Sequence, residues 1–200
     1  TVWAFAKAGV EAPLLFEAVS AYAPEKLTTF NSQELAETAW AFAAVGGAEL
    51  FRDMAPIFVD KLSQSSLDDF SPKALAQLHH VYVHLRLAAP WHILHPLTVA
   101  LNRKEADLRG AYLSAEPRPS PSRLDFAAAL NRLGWAHELD HVIPQGIRLD
   151  FADPALKVAV EFDGPGRHLV GASDAVSCPR VLDGTAKFKE KLLRGAGWDL

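Results

Sequence analysis

Two hundred residues, half of them hydrophobic and about a fifth charged, describe a globular chain of one large or two small domains. No apolar run approaches the ~18 residues that would span a bilayer, and the lone Cys178 excludes a disulfide framework or a cysteine-rich zinc site. The formal net charge is −4, spread as 9 Lys and Arg against 12 Asp and Glu in residues 1–113 and 11 against 12 in residues 114–200, so neither half carries the basic footprint of an ordinary nucleic-acid binder.

The chain opens inside a helical pattern, TVWAFAKAG, and closes at Gly197-Trp198-Asp199-Leu200 where a strand pattern begins; we read it as a piece of a longer protein. Residues 1–113 repeat themselves. TVWAFAKAG (1–9) returns as TAWAFAAVG (38–46), and KLTTFNSQELA (26–36) returns as SLDDFSPKALA (66–76), periods of 37 and 40 residues. Spacing of this kind predicts stacked helical hairpins, each unable to bury its apolar face alone. Asn31 and Ser71 hold the same place in successive units, and they or Ser32 are placed to cap the helix that follows. Leu35, Ala39, Phe42 and Ala43 fall at helical spacing as an inward stripe. Trp3 and Trp40 are expected to pack between repeats, with base stacking as the alternative. In the third unit the register puts His80 where Trp40 stood, within LHHVYVHLRLAAPWHILHP. His79, His80, His84, His92 and His95 form no tight ligand motif, so we expect them to pack the last repeat helix on the following domain rather than to hold zinc.

Residues 114–122, within SAEPRPSPSR, read as an extended linker because prolines at alternate positions disfavour helix. Residues 123–200 change period. Ser122-Arg-Leu-Asp125 looks like the capping-box start of a helix lined by Phe126, Leu130 and Leu133 and closed by Gly134. HELDHVI (137–143), GIRLDF (146–151) and KVAVEFD (157–163) alternate as strands, the last two joined as an antiparallel hairpin at Asp153-Pro154. LDGTAKFKEKLLRGAGW (182–198) reads as a helix capped near Asp183 or Thr185, with Phe188 and Leu192 buried, ending at Gly195 or Gly197 before a strand at Trp198.

The strand ends carry the chemistry. Glu161 and Asp163 are two apart and project from one face, and Asp150 on the neighbouring strand can point to the same place. Three carboxylates together repel unless a divalent cation or basic side chains lie between them. Magnesium takes oxygen ligands of this type and would activate water or neutralise charge on a phosphate. Gly164-Pro165-Gly166 makes a tight turn before Arg167 and His168, the latter a candidate acid–base group or turn cap.

EFDGPGRH, a spacer and LDGTAKFKEKLLRGAGW resemble the RAP domain of organellar RNA-metabolism proteins, and the repeats before it are similar to octotricopeptide and FAST-type helical repeats. The resemblance implies an α-solenoid of helical hairpins followed by a small restriction-endonuclease-like α/β domain, cut short at Leu200. It implies a mitochondrial or chloroplast location and a role in transcript processing or stability, translation or ribosome assembly, with organellar mRNA or rRNA and ribosomal or other organellar proteins as partners. It implies a nuclease-type site with Asp150 as first acid and Glu161 as second, and magnesium held by those two if the site is active. Asp163 stands where that site's lysine is expected, which favours a retained scaffold over a cutting one; Lys187 or Lys189 would have to substitute from the last helix. Lys187, Lys191 and Arg194 form one helical stripe, and with Lys189 and Arg167 they are the candidate RNA contacts, a solvated helix face being the alternative. Three readings follow: an RNA-binding protein with a dead site, a subunit of an organellar ribosome or other assembly held by protein contacts, or a magnesium-dependent endoribonuclease.

Overall fold

The computed structural model describes residues 1–46, 54–88, 91–115, 120–162, 168–169 and 181–200. Helices α1 (Val2–Lys7), α2 (Pro13–Leu27), α3 (Ser32–Val45), α4 (Ala55–Gln64), α5 (Pro72–Ala88), α6 (Trp91–Asn102), α7 (Glu105–Ala115) and α8 (Pro121–Arg132) precede the strands. Strands β1 (Glu138–Val142), β2 (Arg148–Asp153) and β3 (Val158–Val160) follow, then β4 (His168–Leu169), β5 (Val181–Leu182) and helix α9 (Gly184–Gly195). Among the described residues no helix is long and apolar enough to cross a membrane.

Local chemistry explains the helix starts. The Asn31 side chain accepts the Glu34 N–H while Glu34 accepts the Asn31 N–H, both at 2.9 Å, closing a capping box on α3. Ser71 Oγ accepts the Ala74 N–H at 3.2 Å in the same role for α5. α8 begins two residues earlier than its sequence suggests. Ser120, not Ser122, is its cap, accepting the Arg123 N–H at 3.3 Å, and Pro121 fits the first turn because that turn has no use for a proline N–H. The expected linker is shortened accordingly, since α7 runs on to Ala115. Phe126 packs on Phe151 and Phe162, but Leu133 is 81% exposed and lines nothing.

α3 lies between α1 and α5, α5 lies against α7, and α4 packs on α2 and α6. α9 crosses the first of these rows, touching α1, α3 and α5. That crossing is why α3 exceeds its expected stripe: Leu35, Ala36, Ala39, Trp40, Ala41, Phe42 and Ala43 are all buried. Trp40 meets Phe188 of α9 edge to face at 5.7 Å, and Phe188 is itself 1% exposed, a burial that contributes about 1.5–3 kcal/mol. The histidines complete this seam. His79 Nε2 pairs with the Gly146 carbonyl at 3.2 Å, and the rings of His80 and His84 stand 5.9 and 5.8 Å from Phe188. The side chains of His92 and His95 are not among those described.

The sheet has the order β1-β2-β3, antiparallel throughout. Asp153 Oδ1 accepts the N–H groups of Ala155 and Leu156 at 3.0 and 3.1 Å, which forms the expected turn between β2 and β3. Trp198 is buried, and Asp199 bridges Val158 in parallel through its N–H to the Lys157 carbonyl and its carbonyl to the Ala159 N–H. β4 and β5 form a separate antiparallel pair that the alternation does not announce. The chain is thus mostly helical with a small antiparallel sheet, and one apolar cluster runs from Phe42 through Phe188 to Leu149 and Ala159.

Candidate functional site

Strand register decides which carboxylates meet. Leu139 pairs with Phe151 and His141 with Leu149, so Asp140 falls opposite Asp150; Phe151 pairs with Val160, so the same register brings Glu161 opposite Asp150 on the other side. Like charges directly across a ladder repel. Here they are bridged. Arg123 Nη2, from the first turn of α8, lies 2.6 Å from Asp140 Oδ1 and 2.9 Å from Asp150 Oδ1. Lys189 Nζ, from α9, lies 2.6 Å from Glu161 Oε2. The backbone supplies the rest: Phe162 N–H donates to Asp150 Oδ2 at 2.8 Å and Asp150 N–H to Glu161 Oε1 at 3.3 Å.

The row is therefore acid, Arg123, acid, acid, Lys189, held by two helices on a three-stranded sheet. Both cationic side chains are nearly sealed from water, at 9% exposed for Arg123 and 6% for Lys189. Burial pushes the Glu161 carboxyl above its usual range against the pull of Lys189, with the Asp150 carboxylate pushing the same way. A cavity of about 260 Å³ opens beside this pair, walled by Ala159, Val160, Leu182, Ala186 and Leu200.

The sequence anticipates the meeting of Asp150 with Glu161 and names Lys189 as a possible substitute cation. It misses Arg123 and Asp140. The signal for Asp140 is the strand register; for Arg123 it is an arginine placed at the third position after a Ser-Pro helix start. Asp140 also adopts φ +56, a left-handed conformation that aspartate tolerates better than most residues. Asp163 and Arg167 lie outside the described residues, and His168 is described only as the backbone partner of Leu182 in β4. Among the described residues no group of three or more His, Cys, Asp or Glu is arranged to hold a metal ion. Three of the four oxygens of Asp150 and Glu161 accept a hydrogen bond from the protein, and the fourth, Asp150 Oδ1, is ion-paired with Arg123. Arg123 and Lys189 supply positive charge between and beside these carboxylates, which is one of the two ways such a row is kept from repelling itself.

The remaining candidate contacts, Lys187, Lys191 and Arg194, lie at the surface but each bonds within the chain. Lys187 Nζ donates to the Gly9 carbonyl at 3.0 Å, and Lys191 Nζ to the carbonyls of Ala43 and Gly46 at 3.1 and 3.3 Å. These carbonyls sit at the C-terminal ends of α1 and α3, where the helix dipole favours a cation. Burial lowers the Lys191 ammonium below its usual pKa range. Arg194 pairs with Glu190 on its own helix. At the start of α9, Lys7 of α1 reaches both Asp183 and Thr185 at 2.6 Å. Burial pushes the Asp183 carboxyl up, but the hydrogen bonds from Lys7, Ala186 and Thr185 together hold it below its ordinary value.

No family model matches the chain, and neither does any curated protein or solved structure.

Proposed function

We propose that the chain is an RNA-associated protein of a mitochondrion or chloroplast, acting in transcript processing or stability, translation or ribosome assembly, and that it binds RNA rather than cutting it. This reading takes the stacked helices as an α-solenoid and the sheet with α8 and α9 as a small α/β domain of the RAP type. The RNA part rests on the resemblance of EFDGPGRH and LDGTAKFKEKLLRGAGW. The non-cutting part rests on one observation: all four oxygens of the Asp150 and Glu161 carboxylates are engaged inside the protein, two of them by Arg123 and Lys189.

A second reading, a subunit of an organellar ribosome or other assembly held by protein contacts, is favoured by a different observation. Lys189 and Arg194 are neutralised by Glu161 and Glu190, which leaves Lys187 and Lys191, each donating to backbone carbonyls, as the cations of this helix not paired with a carboxylate. The test is binding and cleavage of labelled single-stranded and structured RNA with magnesium or manganese across a salt series, beside an Asp150→Asn/Glu161→Gln variant. Salt-sensitive binding without cleavage supports the proposal. Cleavage that the variant loses makes the chain an endoribonuclease instead, and neither binding nor cleavage leaves the protein-held subunit.

A further inference from the structure

A second cavity, of about 190 Å³, lies where α5 meets the start of α7 and the turn between β1 and β2. Tyr82 and Arg86 of α5 line it one turn apart, Glu105 opens α7 beside them, and Val83, Leu87, Pro144 and Gln145 complete the walls. The Tyr82 hydroxyl is the hub. It accepts from Arg86 Nη1 at 3.0 Å, donates to Asn102 Oδ1 at 2.6 Å and stands 3.3 Å from Glu105 Oε2. The Arg86 guanidinium is held over the Tyr82 ring, 5.7 Å from its centroid. Arg86 and Glu105 thus share one phenol, yet no ion pair joins them, and neither is paired with another charged side chain among the described residues. Tyr82, 2% exposed, is enough by itself to tie α5 to α7. A cluster with that purpose alone would close the two charges on each other. Here they stop short, and both line the cavity.

The chemistry of the walls selects a ligand. The volume is several times the roughly 30 Å³ of a water and below the roughly 300–1,000 Å³ of a drug-sized site, so it suits one small ring system. A guanidinium offers paired donors and a carboxylate paired acceptors, and Tyr82 uses only part of each. Among the nucleobases guanine alone presents both complements: O6 and N7 as paired acceptors, N1–H and the 2-amino group as paired donors. The apolar side chains of Val83, Leu87 and Pro144 suit the faces of a ring and would oppose the charges of a zwitterion such as an amino acid. We propose that this cavity binds a guanine base, with Arg86 on the O6/N7 edge and Glu105 on N1–H and the 2-amino group. The base comes from a guanosine of single-stranded RNA or from a free guanine nucleotide, which present the same edges. The first source rests on the RNA reading above; the second does not.

Calorimetric titration of the 200-residue chain with GMP, AMP and xanthosine monophosphate tests the site. GMP is expected to bind at least about tenfold more tightly than AMP, the discrimination of one good bidentate pair. Arg86→Met is expected to weaken GMP binding about tenfold for the same reason. Glu105→Gln is expected to move the preference from GMP to xanthosine monophosphate, because an amide can donate to the 2-oxo group that replaces the 2-amino group. An exchange of preference does not arise from unfolding, and circular dichroism checks that both variants keep their helix content. Absent GMP binding, GMP and AMP bound alike, or a Glu105→Gln variant that keeps the GMP preference overturns the proposal. A short polyadenosine RNA, with and without a single central guanosine, identifies the source. A gain from the guanosine that Glu105→Gln removes assigns the site to RNA; GMP binding without that gain assigns it to the free nucleotide, and both uphold it. RNA bound with no response to guanosine, and no binding of GMP, overturns the guanine site and leaves the RNA reading standing.

Discussion

Lys189 and Glu161, 28 residues apart in sequence, meet at 2.6 Å where the last helix crosses the end of β3. The contact closes the carboxylate row and ties α9 to the sheet. A buried pair of this kind is stable against having both partners replaced, not against losing one. Lys189→Met leaves Glu161 buried without its cation and is expected to cost about 3–5 kcal/mol in urea denaturation. Lys189→Met/Glu161→Gln is expected to recover most of that loss; a double variant as unstable as the single one would show that the pair contributes mainly through packing.

Asp140 carries two demands, a carboxylate for Arg123 and a backbone at φ +56. Asn meets both in part, because its side-chain oxygen still accepts from Arg123 and it enters the left-handed region with little strain. Arg123 also keeps Asp150. Asp140→Asn is therefore expected to stay within about 1 kcal/mol of the parent, whereas Asp140→Val loses the acceptor and forces a β-branched residue into that conformation, for about 2–4 kcal/mol. Thermal denaturation of the two variants checks the order.

α1 meets α9 through backbone. A Cβ at Gly184 would overlap the Ala6 carbonyl oxygen, a contact only glycine permits. Gly184→Ala must push α1 and α9 apart, loosening Lys7 from Asp183, and is expected to cost about 3 kcal/mol or more. Gly110, inside α7, has nothing within 4 Å of its virtual Cβ, so Gly110→Ala is expected to stabilise by about 0.5–1 kcal/mol. Chemical denaturation that fails to separate the two would mean the α1–α9 contact is not part of the cooperative fold.

Much of this arrangement is legible in the sequence because it is local. The Asn31 and Ser71 caps, the Asp153 turn, the Asp183 cap and the buried Phe188 follow from residue types at fixed offsets. The meeting of Asp150 and Glu161 is also local, since a hairpin turn fixes their register. What escapes is set by distant packing. Nothing near Lys187 or Lys191 says that their amines end on α1 and α3, because that depends on where α9 lands. Arg123 escapes for the same reason: its partners are Asp140 and Asp150, 17 and 27 residues on. Exposed positions in a helical stripe look alike whether they face water or another helix end.

The histidines at the seam make stability depend on pH in a definite direction. His79 and His84 are buried, and burial lowers both from 6.5 to about 4; Arg109 and Lys191 add to the lowering, while the Gly146 carbonyl and Glu105 oppose it at His79. Both rings are therefore neutral in the folded protein through a range where the unfolded chain takes up protons. Their contribution is fully present above pH 6.5 and is lost as pH falls toward 4, by about 3 kcal/mol each for roughly 2.5 pH units. Glu161 acts oppositely. Its carboxyl is raised, so its contribution is present at acid pH and fades as pH rises from 4.5 through the raised value, which flattens part of the slope. Urea denaturation at half-unit steps from pH 4.5 to 7.5 is expected to show stability rising with pH. His84→Phe should cut the rise by about half whatever it does to stability at pH 7.5. An unchanged slope in that variant would mean His84 is protonated in the folded state and that the seam beside Phe188 and Lys191 admits water.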